Sequence, residues 1–102
     1  MPIYVDIKPS TAKNKKFTAV FSHDKDGKRV KIKTTQFGDS RYQDYTQTKD
    51  KTKRDQYRRR HKTDLTTNDY MRAGYLSYYL LWGDSSSLNA NIKSYKKRFK
   101  LK

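Results

Sequence analysis

The run of cationic side chains from Lys49 to Lys62, KDKTKRDQYRRRHK, is the part of the sequence best suited to chemistry. It holds eight Lys or Arg residues and two Asp residues. Guanidinium and ammonium groups bind phosphate oxygens through charge-assisted hydrogen bonds, and Arg offers two parallel donors. The run therefore predicts contacts with a polyanion, and nucleic acid is the first candidate. Its candidate phosphate-binding residues are Lys51, Lys53, Arg54, Arg58, Arg59, Arg60 and Lys62.

Cations recur in two further blocks of the chain. Residues 1–38 hold nine cations and three anions, and residues 88–102 hold six cations and no anion, whereas residues 63–87 hold one and three. The whole chain has a formal charge of +15 on 102 residues. Because such an excess repels itself in a compact state, it indicates a polyanionic partner rather than a stabilising device. The further candidate residues are Arg29, Lys31, Lys33, Lys93, Lys96, Lys97, Arg98 and Lys100.

Residues able to catalyse a reaction are scarce. His23 and His61 are the two histidines; we interpret His23 as a solvated turn residue and His61, beside Tyr57, as a packed structural residue. Asp24 and Asp26 are flanked by lysines, which favours a turn over a metal site. The sequence has no P-loop, GxSxG or HExxH motif. We therefore predict no enzymatic activity, no metal and no cofactor.

Three short strands are predicted to carry part of this charge. Residues 3–7, 17–22 and 29–35 each alternate apolar and polar side chains with a period of two. Asp26-Gly27 is a typical hairpin turn between the second and third strands. In the third strand the alternation predicts a core face of Val30, Ile32 and Thr34 and an opposite cationic face of Arg29, Lys31 and Lys33. Residues 37–48 are interpreted as a turn with aromatic anchors.

Three helices are predicted to follow. Thr48 would cap the first helix, which carries the cationic run and docks through Tyr57 and His61. The second runs from about Thr67 to Gly83, its C′ residue, and is apolar on nearly all sides, so residues 73–82 should be central to the core. The third begins within residues 85–87 and presents an amphipathic stripe of Leu88, Ile92, Tyr95 and Phe99.

Length and composition indicate one domain. A hydrophobic fraction of 32% and a charged fraction of 34% are close to those of disordered chains, but an aromatic fraction of 14% indicates a packed core. We predict a single basic α+β domain over residues 1–102, a small antiparallel sheet of two or three strands followed by three helices. The absence of Cys, of a secretory signal and of any long apolar run predicts a protein that is intracellular, not secreted and not in a membrane.

Seven short segments are distinctive in their order and spacing: FTAVF at Phe17–Phe21, KTTQFG at Lys33–Gly38, DYT at Asp44–Thr46, KDK at Lys49–Lys51, RRH at Arg59–His61, AGYLSYYLLWG at Ala73–Gly83 and YKKRFKL at Tyr95–Leu101. Together they resemble small basic proteins encoded by large nucleocytoplasmic DNA viruses of protists and algae, of the mimivirus and phycodnavirus kind. The resemblance implies a viral origin and a location in the virion and the viral factory of the host cell, but no mechanism. Residues 1–16 lie outside it, so they form either the first strand of the fold or a variable N-terminal extension.

Sequence-independent binding of double-stranded DNA, serving to condense or package a viral genome, is the function that these features predict. Reading of bases would require a few Arg, Asn or Gln side chains held rigidly in a groove, and the sequence identifies no such set. Two alternatives stay open: a structural virion protein whose cations contact acidic core or capsid proteins, and an RNA-binding factor. Further hypotheses are a homodimer through the Tyr-rich second helix and base stacking by Tyr4, Tyr42 or Tyr45.

Overall fold

A three-stranded antiparallel sheet precedes a layer of helices in the computed structural model, which describes residues 2–102. The strands are β1 (Ile3–Pro9), β2 (Lys15–Lys25) and β3 (Lys28–Asp39), with β2 in the middle. The helices are α1 (Tyr45–Thr48), α2 (Lys51–His61), a 3-10 helix (Lys62–Thr67), α3 (Ala73–Leu76), a π-helical turn (Ser77–Leu81) and α4 (Leu88–Arg98). The predicted α+β class is confirmed. No helix within residues 2–102 is long and apolar enough to cross a membrane.

The hydrophobic core lies between one face of the sheet and the helices. Val5 pairs with Phe21 and Ile7 with Ala19, so these side chains share a face, as the alternation predicted. Phe37 of β3 joins them, and Ala19, Phe21 and Phe37 are all fully buried. The α3–π segment, α4 and the C-terminal end cover this face with Leu76, Leu80, Leu81, Tyr95 and Leu101. The prediction that residues 73–82 are central to the core is confirmed.

A β-bulge changes the expected faces of β3. Phe21 pairs with Lys33 and Ser22 with Lys31, so Ile32 is an extra residue without a partner on β2. The predicted core face is wrong: Thr34 pairs with Val20 and lies on the face opposite to Phe21, and Val30 and Ile32 are 39% and 43% exposed. On β3 the buried side chains are Thr35 and Phe37.

The β2–β3 hairpin turns where the sequence predicted. Asp26 and Gly27 have φ angles of 52° and 78°, the left-handed pair typical of a two-residue hairpin turn. His23 and Asp24, predicted to be in the turn, lie in β2 instead. The predicted turn over residues 37–48 is also wrong in part, because β3 continues to Asp39 and the single-turn helix α1 begins at Tyr45.

The two edges of the sheet differ. At the β1 edge Ile3 pairs with Leu101, and the amide of Val5 donates to the carbonyl of Lys102 over 2.9 Å. β1 is therefore integral to the fold, and the C-terminal residues cover its edge. β3 is the opposite edge strand, and residues 28–34 are all exposed there. Lysines at such an edge disfavour pairing with strands of other molecules.

The predicted second helix is shorter than expected and irregular. Asn68 has a left-handed backbone, with φ 55°, and ends the 3-10 helix, so α3 begins only at Ala73. The helix then widens, and the amide of Trp82 donates to the carbonyl of Ser77, five residues earlier, over 3.1 Å.

Gly83 is required for space rather than as a C′ residue. Its φ is not left-handed, and a Cβ atom there would lie 2.2 Å from the carbonyl oxygen of Tyr79 and 2.8 Å from the side chain of Asn91. Asn91 is 3% exposed and donates to the carbonyls of Leu80 and Ser85 over 2.9 and 2.8 Å. This amide therefore fixes α4, whose predicted apolar stripe is confirmed, against the π turn.

Candidate functional site

Helix α2 presents the densest set of candidate residues, and its first turn is fixed by Asp50. The Asp50 carboxylate accepts hydrogen bonds from the amides of Thr52 and Lys53 over 3.0 and 3.2 Å. The predicted cap, Thr48, is therefore wrong; its hydroxyl instead accepts from the amide of Asp50. The carboxylate side chain of Asp50 also suits the positive end of the helix dipole, which a threonine hydroxyl complements less well.

The inward side of α2 is a stripe of polar and aromatic side chains with no buried residue. The Tyr57 ring stacks on His61 with centroids 4.1 Å apart and on Trp82 at 4.4 Å, and the latter rings are within 8° of parallel. Burial and the charge of Asp64 raise the pKa of Tyr57 to about 12, against a hydrogen bond with Ser77 that lowers it. Docking through Tyr57 and His61 is confirmed.

Two of the predicted phosphate ligands, Arg54 and Arg58, belong to the same inward stripe. The Arg58 guanidinium donates to the Asp84 carboxylate over 2.8 Å, and this hydrogen bond lowers the pKa of Asp84. Arg54 contacts the backbone carbonyl of Asp84 at 3.4 Å and lies 5.0 Å from the centre of the Tyr45 ring. Both arginines therefore fix α2 to the rest of the molecule, a role that the sequence analysis missed.

The other candidates are the exposed cations around the rest of α2 and at its C-terminal end, and we refer to this set as the α2 surface. All of its cations are exposed, and none has an acidic partner among the described residues. The α2 surface consists of Lys51, Lys53, Arg59, Arg60 and Lys62.

The candidates on β3 do not form the single cationic face that the sequence predicted. Arg29 pairs with Asp24 and Lys31 with Ser22, which places both on the sheet face that the helices leave uncovered. Lys33 pairs with Phe21 and points to the helical side, because the extra residue Ile32 inverts the alternation. The structure thus separates Lys33 from Arg29 and Lys31.

At the hairpin end of the sheet, the Arg29 guanidinium contacts two other side chains of the protein. Its guanidinium lies 3.5 Å from the centre of the Tyr4 ring, and its Nε is 3.4 Å from an Asp24 carboxylate oxygen. The Tyr4 hydroxyl also donates to Asp24. We call the exposed cations at this end, Lys25, Lys28, Arg29 and Lys31, the hairpin surface.

A third cationic set, the α4 surface, follows the outer side of α4 and consists of Lys93, Lys96, Lys97, Arg98 and Lys100. The Arg98 guanidinium lies 4.8 Å from the centre of the Tyr79 ring. The alternative of a frayed tail is wrong, because Leu101 is 8% exposed and the backbone of Lys102 bonds to β1.

The two basic helices contact different residues of the α3–π segment. Arg58 of α2 lies over Tyr78, and Tyr57 stacks on Trp82. Phe99, directly after α4, contacts Tyr75 and Tyr79 instead. Tyr78 and Tyr79 contact each other, with ring centroids 5.1 Å apart, so the two helices pack on neighbouring residues of this segment.

The charge balance of the folded chain is uneven. Among the described residues, seven of the ten Asp side chains form ion pairs, and their partners are six of the 25 Lys and Arg side chains and His61. Nineteen cations thus have no acidic partner, and thirteen of these belong to the α2, hairpin and α4 surfaces. The fold pairs most of its anions and leaves most of its cations without an acidic partner.

The two histidines are held in structural positions. His23 is half-buried in β2, and the Nδ1 atom of His61 lies 3.0 Å from an Asp64 carboxylate oxygen. Asp24 is occupied by Tyr4 and Arg29. Within residues 2–102 the structure brings no three His, Cys, Asp or Glu residues together in a way that could hold a metal ion.

A cleft next to α2 is a feature that sequence reasoning missed. It has a volume of about 540 Å³, and its walls come from the end of β3, the loop to α1, α2 and the π turn. Of the tyrosines considered for base stacking, Tyr45 is buried, and Tyr4 has Arg29 over its ring. Tyr42, at 67% exposed, lines the cleft. No local pattern signals this site, because its residues are distant in the chain.

Comparisons with known proteins place the chain in a family without giving it an activity. Searches of curated proteins and of solved structures found no match. A family model matches residues 5–61. These residues include α1, α2 and the whole sheet except the first two residues of β1. Because this match spans more than half of the chain, the protein belongs to the family of unknown function DUF5754.

Proposed function

We propose that the protein binds double-stranded DNA through its phosphates, independently of base sequence, and that it condenses or packages a viral genome in the virion and the viral factory. The observation that carries the DNA binding is the set of nineteen cations without an acidic partner, concentrated on three surfaces. A phosphate polymer is the natural counterion for such surfaces, since each neutralised phosphate releases condensed ions from the duplex. The viral setting rests on the sequence resemblance alone.

The make-up of the exposed surface favours a phosphate polymer over an acidic protein partner. Stable protein interfaces have an apolar core that is poor in charge. Among the described residues, the large apolar side chains that are exposed are Val30, Ile32 and Tyr42, and none is on the α2 or α4 surface. The segment expected to offer a dimer patch, residues 73–82, has none of them, and the homodimer stays a prediction.

The types of the free cations support binding without sequence preference. Bidentate base contacts in the major groove depend mostly on rigidly held Arg, Asn or Gln. Two of the arginines in α2 are tied to Asp84, and the α2 and α4 surfaces consist mainly of lysines, which act as mobile point charges. Such side chains follow the phosphate backbone and do not distinguish base pairs.

More than one binding surface is what condensation requires. The α2 and α4 surfaces belong to different helices packed on the α3–π segment, and the hairpin surface lies at an end of the sheet. The molecule extends over 47 × 27 × 23 Å, which is large beside the roughly 12 Å width of a DNA major groove, so two duplexes can contact different parts of its surface. One protein can then bridge two DNA segments.

The test is the affinity for random-sequence duplex DNA measured against salt concentration. If six to ten phosphates are neutralised, affinity falls by about 10³–10⁵ between 50 and 200 mM salt, and it does not depend on sequence. Lys53, Arg59 and Lys62, all changed to Gln, should reduce the magnitude of the slope of log affinity against log salt by about 3. The matched control is Lys8, Lys13 and Lys15, all changed to Gln, which removes the same charge from outside the three surfaces.

Each rival has a distinct outcome in this assay. A soluble acidic polypeptide that competes as strongly as duplex DNA at equal charge would support the structural virion role, and tighter binding to structured RNA would support the RNA-binding role. Absence of a complex at low salt, or equal loss of slope in the α2 and control triples, overturns the proposal. Mass spectrometry of purified virions tests the location.

A further inference from the structure

The cleft beside α2 has the dimensions of a ligand site. Its volume of about 540 Å³ is within the range of roughly 300–1,000 Å³ that small-molecule sites occupy. Trp82 and Leu81 give it apolar walls, and Arg60, His61 and Gln43 add polar groups. Apolar and aromatic walls with a few polar groups are the usual composition of such sites.

The aromatic surface of the cleft suits a flat ring. Both faces of Tyr57 are covered, one by His61 and one by Trp82, so Tyr57 contributes only its edge. Trp82 lines the cleft directly, and Tyr42 is the most exposed aromatic residue of the described chain. Exposed tyrosine and tryptophan rings bind nucleobases by stacking, whichever base is offered.

The charge of the cleft is positive at one position. Lys16 lies 2.5 Å from Asp44, and Asp39 lies 2.8 Å from Arg41, so these four groups neutralise each other. Arg60 has no acidic partner among the described residues. An anionic group of the ligand is therefore expected at Arg60, where a guanidinium can hold a phosphate with two hydrogen bonds.

Two further features provide hydrogen bonds and shape. Because Nδ1 of His61 is engaged by Asp64, its other ring nitrogen is available to a ligand. Ser77 and Leu81, which line the cleft, belong to the π-helical turn. Single π turns inside helices are frequent at functional sites, because they displace side chains from their regular positions.

We propose that this cleft is a nucleotide-binding site, in which a nucleobase packs against Tyr42 and Trp82 and its phosphate binds Arg60. The ligand is either a free mononucleotide or an unpaired nucleotide of a nucleic-acid strand, since both present the same base and phosphate. This inference goes beyond duplex binding through phosphates and does not depend on it. It assigns to Arg60 a role different from that of its neighbour Arg59, which does not line the cleft.

The single tryptophan of the chain provides the measurement. Titration with adenosine and guanosine monophosphates should change the Trp82 emission to saturation, whereas ribose 5-phosphate and inorganic phosphate should not. Equilibrium dialysis with the same nucleotides gives a readout that does not depend on emission. A single-stranded oligonucleotide that binds more tightly than the mononucleotides, through Tyr42, identifies a strand as the source; equal or weaker binding identifies the free nucleotide.

Variants separate the cleft from general charge attraction. Tyr42→Ala should weaken nucleotide binding by about fivefold to a hundredfold, as loss of a stacked base does, without changing duplex affinity. Arg60→Gln should weaken binding of the monophosphate more than that of the nucleoside, while the matched variant Arg59→Gln leaves both unchanged. Circular dichroism checks that each variant is folded. No saturable binding at millimolar nucleotide, or equal effects of Arg59→Gln and Arg60→Gln, overturns the inference, and neither result bears on the salt dependence of duplex binding.

Discussion

Helices α2 and α4 have the same length of 11 residues and are both basic on their outward sides, but they are attached to the molecule by different forces. α4 packs through an apolar stripe that includes Ile92 and Tyr95 and through the buried amide of Asn91. α2 has no buried residue and is attached by Tyr57, which stacks on Trp82, and by arginines that contact Asp84. Hydrophobic burial is insensitive to screening, whereas partly exposed ion pairs weaken as salt increases. The α4 surface is therefore held by hydrophobic packing, whereas the position of the α2 surface depends in part on arginine contacts of the kind that bind phosphate.

Replacing one tyrosine in each helix should show the largest difference. Tyr95 is 1% exposed in the core, so Tyr95→Ala should lower the free energy of unfolding by about 3–5 kcal/mol through loss of burial and formation of a cavity. Tyr57 is only half-buried, so Tyr57→Ala should lower the free energy of unfolding clearly less than Tyr95→Ala does. Urea denaturation of both variants measures this. Equal losses of unfolding free energy would show that Tyr57 contributes as much to stability as Tyr95 does.

The contribution of each helix to DNA binding is the next comparison. Lys93, Lys97 and Lys100, all changed to Gln, should reduce the magnitude of the salt slope for duplex binding by about 3, as proposed above for the α2 triple. Equal reductions indicate that both surfaces contact phosphates, which bridging requires. A reduction for one helix only would restrict the interface to that helix and remove the structural basis for condensation. The slope is measured by fluorescence anisotropy with a labelled duplex.

Removal of the Arg58–Asp84 ion pair tests how far this contact holds α2 in place. Asp84→Asn removes the carboxylate that binds Arg58, and since the pair is largely solvent-exposed on the Asp84 side, stability should fall by at most about 1 kcal/mol at low salt. The difference from the wild type should shrink as salt screens the pair. Duplex affinity should rise, because Arg58 becomes free. Asp26→Asn is the matched control, since Asp26 lies in the hairpin turn without an ion pair; the same gain in affinity there would assign the effect to net charge alone.

A further effect is expected at alkaline pH. Burial raises the pKa of Tyr57 from about 10 to about 12, so the folded state retains this proton at a pH where the unfolded chain loses it. The associated stability is complete below pH 10 and is lost as pH rises toward 12. Tyr57→Phe should therefore lose less stability than the wild type across this window. Thermal unfolding at pH 9 to 11 measures the slopes; parallel slopes would show that Tyr57 is not the titrating group.

The sequence predicted those parts of the fold that a local period determines. Alternation identified the core residues Val5, Ala19 and Phe21, and the spacing of Leu88, Ile92, Tyr95 and Phe99 identified the buried side of α4. It failed on β3, because a bulge adds one residue and inverts the face of everything on one side of it. The pattern of Val30, Ile32 and Thr34 is regular, but Ile32 is the extra residue, and Thr34 beyond it lies on the face opposite to Phe21.

For the candidate site, the sequence predicted which residues are involved but not how they are arranged in space. The sequence identified the three cationic blocks, and their residues are mostly exposed. It did not predict that Arg54 and Arg58 face inward, because their partner Asp84 is 26 or more residues away. The cleft was missed for the same reason: Lys16, Tyr42 and Trp82 meet only in the folded chain.

The open edge of β3 has a practical consequence for handling the protein. Lys31 and Lys33 lie on this edge strand, whose outer backbone groups have no partner strand. Charge repulsion between these lysines on neighbouring molecules disfavours pairing of their edge strands. Concentrated salt strips contaminating polyanions from a basic protein, yet it also screens that repulsion. We therefore expect the protein to aggregate more readily in concentrated salt than in dilute buffer.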